Sequence, residues 1–261
     1  MNIPSLPVHD DAALLDLAVR LATEAAGLIR DIRARGFVTH VKSDASPVTE
    51  ADHAAETHIL AGLRAAAPSI PVIAEEEAAA GIMVEAGRTY WLVDPLDGTR
   101  EFAAGRDDFT VNIGLVRDGA AVLGAVALPA YHQVYAGRVG HGAWRRDSHG
   151  QHPIHARRPG PAGLDVLASR HYADDPRLKD LLAQQPVASI RNIGSAAKFI
   201  RVAEGQADLY PRLGPTMEWD TAAPQAVLEA AGGSITEFDG TPLTYGKAQW
   251  RNPPFICRGA R

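Results

Sequence analysis

The sequence predicts a globular protein of mixed α and β structure, α+β in its first half and α/β in its second half. Apolar residues recur at steps of three and four over residues 11–35, which indicates an amphipathic helix. Between residues 109 and 136, apolar and β-branched runs are separated by turn signals, which indicates an antiparallel meander. Beyond residue 155, short extended runs alternate with helical ones, as in α/β proteins.

Two long helices are predicted at the start of the chain. The first spans residues 11–35 and ends at Gly36, since glycine is the residue that most readily terminates a helix. A polar segment follows, and the second helix runs from about Thr49 to Ala67, just before Pro68. The apolar face of the first helix consists of Leu14, Leu17, Ala18, Leu21, Ala25, Leu28 and Ile32.

The next two predicted strands both end in carboxylates. Residues 70–74 form an extended run that leads into Glu75, Glu76 and Glu77, and residues 90–93 form a second run that leads into the sequence DPLDGTRE. Three strands of the meander follow at 109–116, 120–128 and 133–136. The glycines of residues 137–143 lack the context of a dinucleotide-binding fingerprint, and they predict a hairpin.

The polar segment 145–163, rich in Gly, Pro, His and Arg, is the predicted domain junction. We place the boundary near residue 155, between an N-terminal domain of residues 1–155 and a C-terminal domain of residues 156–261. His149, His152 and His155 are expected in a solvated loop there rather than in a metal cluster. The C-terminal domain is predicted to contain a strand at 165–168 and helices at 176–184, after Gly194-Ser195, and at 221–231.

Composition narrows the functional classes. The chain has 261 residues, 46% hydrophobic and 22% charged, with 26 Lys plus Arg against 31 Asp plus Glu and a net charge of -5, which argues against a nucleic-acid-binding protein. The single Cys257 predicts a reducing compartment, the cytoplasm by default. No basic leader or long apolar run is present, so neither secretion nor a transmembrane segment is expected. Serine-hydrolase and P-loop motifs are also missing from the sequence.

The acidic residues at the strand ends predict a metal site. Asp94 and Asp97 lie three residues apart after a buried strand, and the carbonyl of Leu96 lies between them. Oxygen atoms of this kind are the ligands that Mg²⁺ prefers. Glu75 and Asp220, each beside another predicted element, are candidates for the same site. Taken singly, these acids are also ordinary turn or N-cap residues, and only their joint occurrence favours the metal.

Three motifs in this order resemble the inositol monophosphatase superfamily: AEE at 74–76, DPLDGTREF at 94–102 and WDTAA at 219–223. The segments SPVTEAD at 46–52, FTVNIGL at 109–115 and AEGQADLYPRLGPT at 203–216 are similar to its 3'(2'),5'-bisphosphate nucleotidase branch, although Arg100 replaces a lysine common there. The resemblance covers about residues 12–256. It implies a layered αβαβα sandwich and Mg²⁺-dependent hydrolysis of phosphate monoesters with two or three Mg²⁺ ions.

The resemblance assigns roles to individual residues. The metal ligands fall on Glu75, Asp94, the carbonyl of Leu96, Asp97 and Asp220, and the pair that activates water falls on Asp52 and Thr99. Thr49 and Asp52 also fit a capping box, an ordinary device at a helix start. The remaining implied contacts are Lys42 near the metal, Gly98 and Thr99 as amide donors to phosphate, and His171, Ser195, Lys198, Arg212 and Asp220 around the nucleotide.

The activity implied by the resemblance is hydrolysis of adenosine 3',5'-bisphosphate to AMP and phosphate by activated water, which would serve sulfate assimilation, with inhibition by Li⁺. Two alternatives stay open: a phosphatase for inositol 1-phosphate or a sugar phosphate, and a non-catalytic sensor of Mg²⁺ or nucleotide. The expected partner is a small phosphorylated molecule and not a nucleic acid. Homodimer formation and peripheral association with the inner membrane surface also stay open.

Overall fold

The computed structural model of the protein describes residues 10–42, 46–170, 175–183 and 185–260. Within these ranges the helices are α1 (Asp11–Arg35), α2 (Glu50–Ala66), α3 (Glu75–Ala79), α4 (Thr99–Ala103), α5 (Pro176–Leu182), α6 (Ala197–Ala203) and α7 (Ala222–Ala230). The strands are β1 (Thr39–Val41), β2 (Pro47–Thr49), β3 (Val72–Ala74), β4 (Thr89–Asp97), β5 (Thr110–Arg117), β6 (Ala120–Leu128), β7 (Gln133–Arg138), β8 (Gly142–Asp147), β9 (Gly150–Ile154), β10 (Leu164–Ala168), β11 (Val187–Asn192), β12 (Leu209–Arg212), β13 (Thr216–Met217), β14 (Ser234–Glu237), β15 (Arg251–Asn252) and β16 (Phe255–Arg258).

Two larger sheets organise the described part of the chain. The first has seven strands in the order β3-β4-β5-β6-β7-β8-β9, parallel only between β3 and β4 and antiparallel elsewhere. The second has five strands in the order β11-β10-β12-β16-β14, with β10 parallel to both of its neighbours. The antiparallel meander predicted from residue 109 onward is confirmed, and the second half is a mixed sheet with helices.

The helices form layers on both sides of the sheets. Helices α1 and α2 pack on one face of the seven-stranded sheet. Helices α6 and α7 pack between the opposite face of that sheet and the five-stranded sheet. Helix α5 covers the outer face of the second sheet through Leu178 and Leu182. The predicted αβαβα sandwich is therefore confirmed.

Three glycines let α7 approach the first sheet closely. Gly114, Gly124 and Gly137 lie on the neighbouring strands β5, β6 and β7, and a Cβ atom at any of them would come closer than 3.0 Å to backbone atoms of α7. Because that distance is shorter than any normal contact, larger residues there would push the helix away. The helix that follows Asp220 is thus held firmly against the sheet that carries Asp94.

The predicted helices α1 and α2 are confirmed with bounds within one residue, and the hairpin predicted for residues 137–143 joins β7 to β8. The loop expected within residues 145–163 is wrong in part, because residues 142–147 and 150–154 form the strands β8 and β9. Only Ala143 and Ile154 are buried in this edge hairpin, so its pattern looks polar. His149, His152 and His155 are exposed, as expected, although His152 lies in a strand rather than a loop.

The first sheet ends at Ile154, next to the boundary predicted at residue 155, and α7 from the second half packs on its strands β5, β6 and β7. The division into domains of residues 1–155 and 156–261 stays a prediction. Cys257 is buried in β16 as a free thiol. None of the described helices combines the length and the apolarity that crossing a lipid bilayer requires.

Candidate active site

A cavity of about 1040 Å³ lies where the two halves of the chain meet, and it collects most of the residues predicted for the site. Asp52 reaches it through a hydrogen bond to Thr99, and His171 lies outside the residues that the structure describes. The predicted residues that line the cavity are Lys42, Glu75, Asp94, Leu96, Asp97, Gly98, Thr99, Arg100, Ser195, Lys198, Arg212 and Asp220.

Strand β4 carries Asp94 and Asp97 to the cavity. Residue Asp94 pairs with Asn112 of β5, Asp97 pairs with Thr110, and the register shifts between the two pairs. The shift interrupts the alternation of side chains between the faces of the sheet, so both carboxylates border the cavity. The backbone amide of Leu96 donates to Asp94 Oδ1 over 3.0 Å, which fixes the orientation of this buried carboxylate.

Glu75 is the first residue of α3, directly after β3. The amides of the next two residues, Glu76 and Glu77, donate to the carboxylate of Glu56 over 2.8 and 2.9 Å. Lys42 Nζ lies 2.9 Å from Glu75 Oε1 and 2.6 Å from Glu76 Oε1. Burial lowers the pKa of Lys42, but the two carboxylates outweigh it and raise that pKa overall. Lys42 thus holds the Glu75 carboxylate directly, and Glu56 fixes the backbone of the two residues that follow it.

Asp220 reaches the cavity from the second half of the chain. It ends a short 3₁₀ turn of residues 218–220, and its Oδ2 accepts a hydrogen bond from the Met217 amide over 2.9 Å. Helix α7 begins two residues later, and Thr221 occupies its N-cap position. The simple interpretation of Asp220 as the N-cap of the following helix is therefore wrong, because its carboxylate points back to the turn before it.

The four acids influence one another electrostatically. Burial raises the pKa of Asp94 well above its ordinary value, and the charges of Glu75, Asp97 and Asp220 raise it further. Burial and the charges of Asp97 and Glu75 do the same for Asp220. Burial raises the pKa of Glu75 to about 7, against the opposing charge of Lys42. Carboxylates from three separate segments of the sequence therefore meet in one region, at a cost that a cation would relieve.

The chemistry of this group fits a hard divalent cation, since all its donors are oxygens and three of the four carboxylates strongly disfavour being charged together. In the described part of the chain, no three Asp, Glu, His or Cys side chains already converge as the ligands of one ion do. Two of the predicted ligands are turned to other partners: Glu75 to Lys42, and Asp97 to the amide of Ala196. Metal ligation by the four acids and the Leu96 carbonyl stays a prediction.

Asp52 and Thr99 form a direct pair. Thr99 Oγ1 lies 2.8 Å from Asp52 Oδ1 and 3.0 Å from the Leu96 carbonyl oxygen. The other oxygen of Asp52 accepts from the Thr49 amide over 2.8 Å and from its hydroxyl over 2.6 Å, which completes the capping box of α2. The capping box is confirmed, and Oδ1 of Asp52 holds Thr99; the activation of water by this pair stays a prediction. The contact joins α2 to the turn that begins α4.

The backbone at Gly98 has φ 93° and ψ 36°, a left-handed conformation that favours glycine, and α4 begins at the next residue. A Cβ atom at Gly98 would meet Asp108 O at 3.0 Å and Ser195 Cβ at 3.1 Å. The turn is therefore closely packed against the second half of the chain. Arg100, one residue further on than Thr99, is exposed at the edge of the cavity.

Two of the cationic residues predicted for the site, Lys198 and Arg212, come from the second half of the chain and line the same cavity. Lys198 on α6 is only 2% exposed, and its Nζ donates to the Ser195 carbonyl over 2.6 Å. Burial lowers the pKa of Lys198 to about 7, although the charge of Asp97 opposes that shift. The guanidinium of Arg212 donates to the carbonyls of Gly214 and Pro215 over 3.2 and 2.8 Å. Together with Lys42 and Arg100, these two residues place cationic side chains in a cavity that also holds four carboxylates.

Ser195 lies one residue before the N-cap position of α6. It has a positive φ of 46°, and Ala196 occupies the N-cap position of α6. Its hydroxyl nevertheless accepts a hydrogen bond from the Ala197 amide over 3.1 Å. The serine therefore stabilises the first turn of α6 from the position before the N-cap.

Sequence reasoning missed Glu56, which orients the start of α3. The signal was present, because Glu56 follows Asp52 by four residues and lies on the face of α2 that carries Leu60 and Leu63. A carboxylate on the apolar face of a helix needs a buried partner, and here the partner is the pair of α3 amides. Burial raises the pKa of Glu56 to about 7, although the two amides oppose that shift.

The arrangement, a layered αβαβα sandwich with carboxylates around a cavity between its two halves, is that of a known class. The sequence matches the profile of the Inositol monophosphatase family over residues 10–254, and the chain belongs to this family. It is 42% identical to the 3'(2'),5'-bisphosphate nucleotidase CysQ of Escherichia coli O157:H7, over 93% of this chain and 98% of that protein. It is 37% identical to the 3'-phosphoadenosine 5'-phosphate phosphatase of Mycobacterium leprae, over 95% of this chain and 89% of that one.

A solved structure supports the same relationship. CysQ from Bacteroides thetaiotaomicron, described as a bacterial member of the inositol monophosphatase family, superposes with a TM-score of 0.80. The two chains share 31% sequence identity, and the match covers 95% of this chain and 98% of that one. The fold implied by the sequence motifs is thereby confirmed.

Proposed function

We propose that the protein is a phosphatase that hydrolyses the 3'-phosphate of adenosine 3',5'-bisphosphate and releases AMP. The observation that carries this proposal is the lining of one cavity, which contains four carboxylates together with Lys198 and Arg212; Asp97 lies near both cations and Asp220 near Arg212. A substrate with two phosphates needs both groups: acids that hold a cation at the cleaved phosphate, and bases at the other phosphate. Relatives that are 42% and 37% identical carry names for this activity.

The residues that would hold Mg²⁺ are Glu75, Asp94, Asp97, Asp220 and the carbonyl oxygen of Leu96. When bound there, Mg²⁺ would supply positive charge to the reacting phosphate and lower the pKa of water near it. The protein contributes the orientation of the carboxylates, since the Leu96 amide fixes Asp94 and the Met217 amide fixes Asp220. We expect two or three Mg²⁺ ions at this site. We also expect Li⁺ to inhibit the reaction.

Asp52 and Thr99 prepare the attacking water. Because the Thr99 hydroxyl donates its hydrogen bond to Asp52 Oδ1, the lone pairs of Thr99 Oγ1 are available to accept a hydrogen bond from water. The Thr49 amide and hydroxyl hold the second oxygen of Asp52, so the carboxylate keeps this orientation. Gly98 and Thr99 begin α4, and their amides are proposed to face the oxygens of the phosphate.

The phosphate that is not cleaved is assigned to the cationic residues of the cavity. Lys198 and Arg212 carry the positive charge there, and Ser195 lies on the same segment as Lys198. Arg100 at the edge of the cavity is a further candidate contact. His171, which the resemblance adds to this group, lies outside the described residues. Charge-assisted contacts of this kind favour a bisphosphate over a monoester with a single phosphate.

The deciding experiment compares kcat/KM for adenosine 3',5'-bisphosphate with kcat/KM for inositol 1-phosphate, each with Mg²⁺. We expect the nucleotide to be preferred by about tenfold or more, which corresponds to about 1.4 kcal/mol of transition-state binding. A tenfold preference for the inositol ester would reverse the substrate assignment and leave a phosphatase of the same family.

A non-catalytic sensor would bind nucleotide and release no phosphate. The intact contact between Asp52 and Thr99 argues against it, since a sensor has no need of a group that orients water. Phosphate release by the wild type, lost in Asp94→Asn, would rule the sensor out. Nucleotide binding without any phosphate release would instead establish it.

In metabolism, removal of adenosine 3',5'-bisphosphate would relieve the inhibition of sulfate assimilation by this compound. The buried free thiol of Cys257 favours a reducing compartment, and we keep the cytoplasm as the proposed location. Homodimer formation and peripheral contact with the inner membrane surface stay predictions.

A further inference from the structure

Arg170 connects two segments that are distant in the sequence. It lies just after β10, and its guanidinium is 3.0 Å from Glu101 Oε2 through Nη1 and 2.7 Å from Asp108 Oδ2 through Nη2. Glu101 belongs to α4, and Asp108 lies in the loop between α4 and β5. One side chain of the second half therefore holds two carboxylates of the first half.

Both carboxylates are largely buried, with side-chain exposures of 6% for Glu101 and 14% for Asp108. A buried carboxylate requires a charged partner or several hydrogen bonds. Glu101 has a second arginine, Arg106, at 2.8 Å, and Asp108 Oδ1 accepts from the Tyr131 hydroxyl over 3.3 Å. Arg170 is the side chain that joins Glu101 to Asp108.

The same carboxylates shape the segment of residues 194–198. The amide of Gly194 donates to Asp108 Oδ2 over 3.4 Å, and a Cβ atom at Gly194 would lie 2.5 Å from Glu101 Cγ. The glycine is thus packed directly on the pair that Arg170 holds. Ser195 and Lys198 follow within four residues, and Lys198 lies close enough to Asp108 and Glu101 to be influenced by their charges.

We propose that Arg170 is a positioning residue: by holding Glu101 and Asp108 together it fixes segment 194–198, and so determines the affinity for the phosphate that is not cleaved. This inference rests on the proposed function. It concerns a contact between side chains that do not touch the cleaved phosphate. Its effect should therefore fall mainly on the KM of a substrate with two phosphates, because Lys198 lies on this segment. The Ala196 amide of the same segment also donates to Asp97, so a smaller change in kcat, common to both substrates, is expected.

The test measures Arg170→Gln with adenosine 3',5'-bisphosphate and with adenosine 3'-monophosphate, which lacks the second phosphate. We expect the KM of the bisphosphate to rise about tenfold, and its kcat and both constants of the monophosphate to change less than about twofold. Arg106→Gln is the matched control, because it removes an arginine from the same Glu101 carboxylate without contacting Asp108. Its constants should stay within about twofold of the wild type.

A double-mutant cycle tests the contact between Arg170 and Asp108 directly. Asp108→Asn should raise the KM of the bisphosphate about as much as Arg170→Gln, and the double variant should be no worse than either single one, since both remove the same contact. Arg170→Lys tests the geometry, because a lysine cannot bond two carboxylates in the forked manner of a guanidinium. Arg170→Lys also replaces Arg170→Gln in the test if the latter variant fails to fold.

Equal losses with the two substrates, an unchanged KM for the bisphosphate, or additive losses in the double variant would each overturn the inference. The proposed function is tested separately, by assaying the wild type. If the wild type does not hydrolyse the bisphosphate, the substrate assignment fails before any variant of Arg170 is measured.

Discussion

Single residues in this protein combine roles that sequence patterns treat as alternatives. Asp52 caps α2 through one oxygen and holds the Thr99 hydroxyl through the other. Glu75 begins a helix and is also the partner of Lys42. A pattern such as a capping box therefore does not exclude a catalytic role, because a carboxylate has two oxygens with separate partners.

The negative charge of Asp94 is required for the proposed catalysis, but it lowers the stability of the fold. Burial and three neighbouring carboxylates disfavour its charged form. Asp94→Asn should lower kcat/KM about 10³-fold, as expected for loss of a central electrostatic group. In the same variant, the free energy of unfolding of the metal-free protein at neutral pH should rise by about 1 kcal/mol. Phosphate release and chemical denaturation measure the two effects.

Asp118→Asn is the control for that substitution, because Asp118 lies in an exposed turn and pairs only with Arg88 among the ion pairs of the described residues. It should leave both quantities unchanged. A metal-free Asp94→Asn protein less stable than the wild type would contradict the repulsion inferred among the four acids.

If Lys198 binds the second phosphate as proposed, its pKa should give that binding a pH dependence. Burial lowers its pKa to about 7, so the side chain loses its proton as the pH rises through that value. Above about pH 7 the phosphate groups of the substrate are already fully charged, since their second pKa is about 6. We expect the KM of the bisphosphate to rise between about pH 7 and pH 9, and the KM of the 3'-monophosphate to stay level.

In Lys198→Gln the KM of the bisphosphate should be high and independent of pH over that range. If the wild type and the variant show the same pH profile, the proton on Lys198 has no part in binding the phosphate.

At the scale of elements, the turn between β4 and α4 is constrained both by the positive φ of Gly98 and by close packing. Gly98→Ala should lower the free energy of unfolding by about 1 kcal/mol, because alanine disfavours a positive φ. It should also lower kcat/KM about tenfold or more, since the added Cβ would press on Asp108 and Ser195. Urea denaturation and steady-state kinetics measure the two changes.

Gly240→Ala is the matched control, because Gly240 has a φ of 91°, close to the 93° of Gly98, and no atom within 4 Å of the added Cβ. It should show the loss of stability alone. Equal kinetic effects in both variants would mean that the close packing of the turn is unimportant to the site.

The elements also show what the sequence could and could not predict. Strongly periodic segments such as α1 and α2 were predicted with nearly their observed bounds, because helix caps and apolar spacing act locally. The edge hairpin of β8 and β9 was missed, since only two of its residues are buried. The motifs predicted which acids share a cavity, whereas the bridge from Arg170 to Glu101 and Asp108 depends on packing between distant segments that no local pattern reveals.

At the scale of the whole molecule, the two halves bring like charges together and so couple stability to pH. An acid whose pKa is raised by folding binds more protons in the folded state than in the unfolded one. Stability therefore falls as the pH rises between the two values, from 4.5 to about 7 for Glu75. The metal-free protein should lose stability over this range, and a thermal unfolding series in buffers with a chelator would show it.

Added Mg²⁺ should reverse that loss, because a ligand that binds only the folded state stabilises it. At a concentration about 100 times its Kd, the gain should be about 2.7 kcal/mol, provided the four acids are ionised. The gain should shrink toward pH 4.5, where protonated acids no longer bind the ion. A gain that is the same at acid and neutral pH would place the ion elsewhere.

The most direct measurement of the central claim is phosphate release from adenosine 3',5'-bisphosphate by the wild type and by Asp220→Asn, with Mg²⁺ titrated from a chelated start. Asp220 is the ligand candidate most distant in the sequence from Glu75 and Asp94. The account predicts release by the wild type only when Mg²⁺ is added, and a loss of about 10²-fold or more in the variant, with a higher Mg²⁺ requirement. Wild-type rates and an unchanged Mg²⁺ requirement in Asp220→Asn, or full activity of the wild type in the chelator, would contradict it.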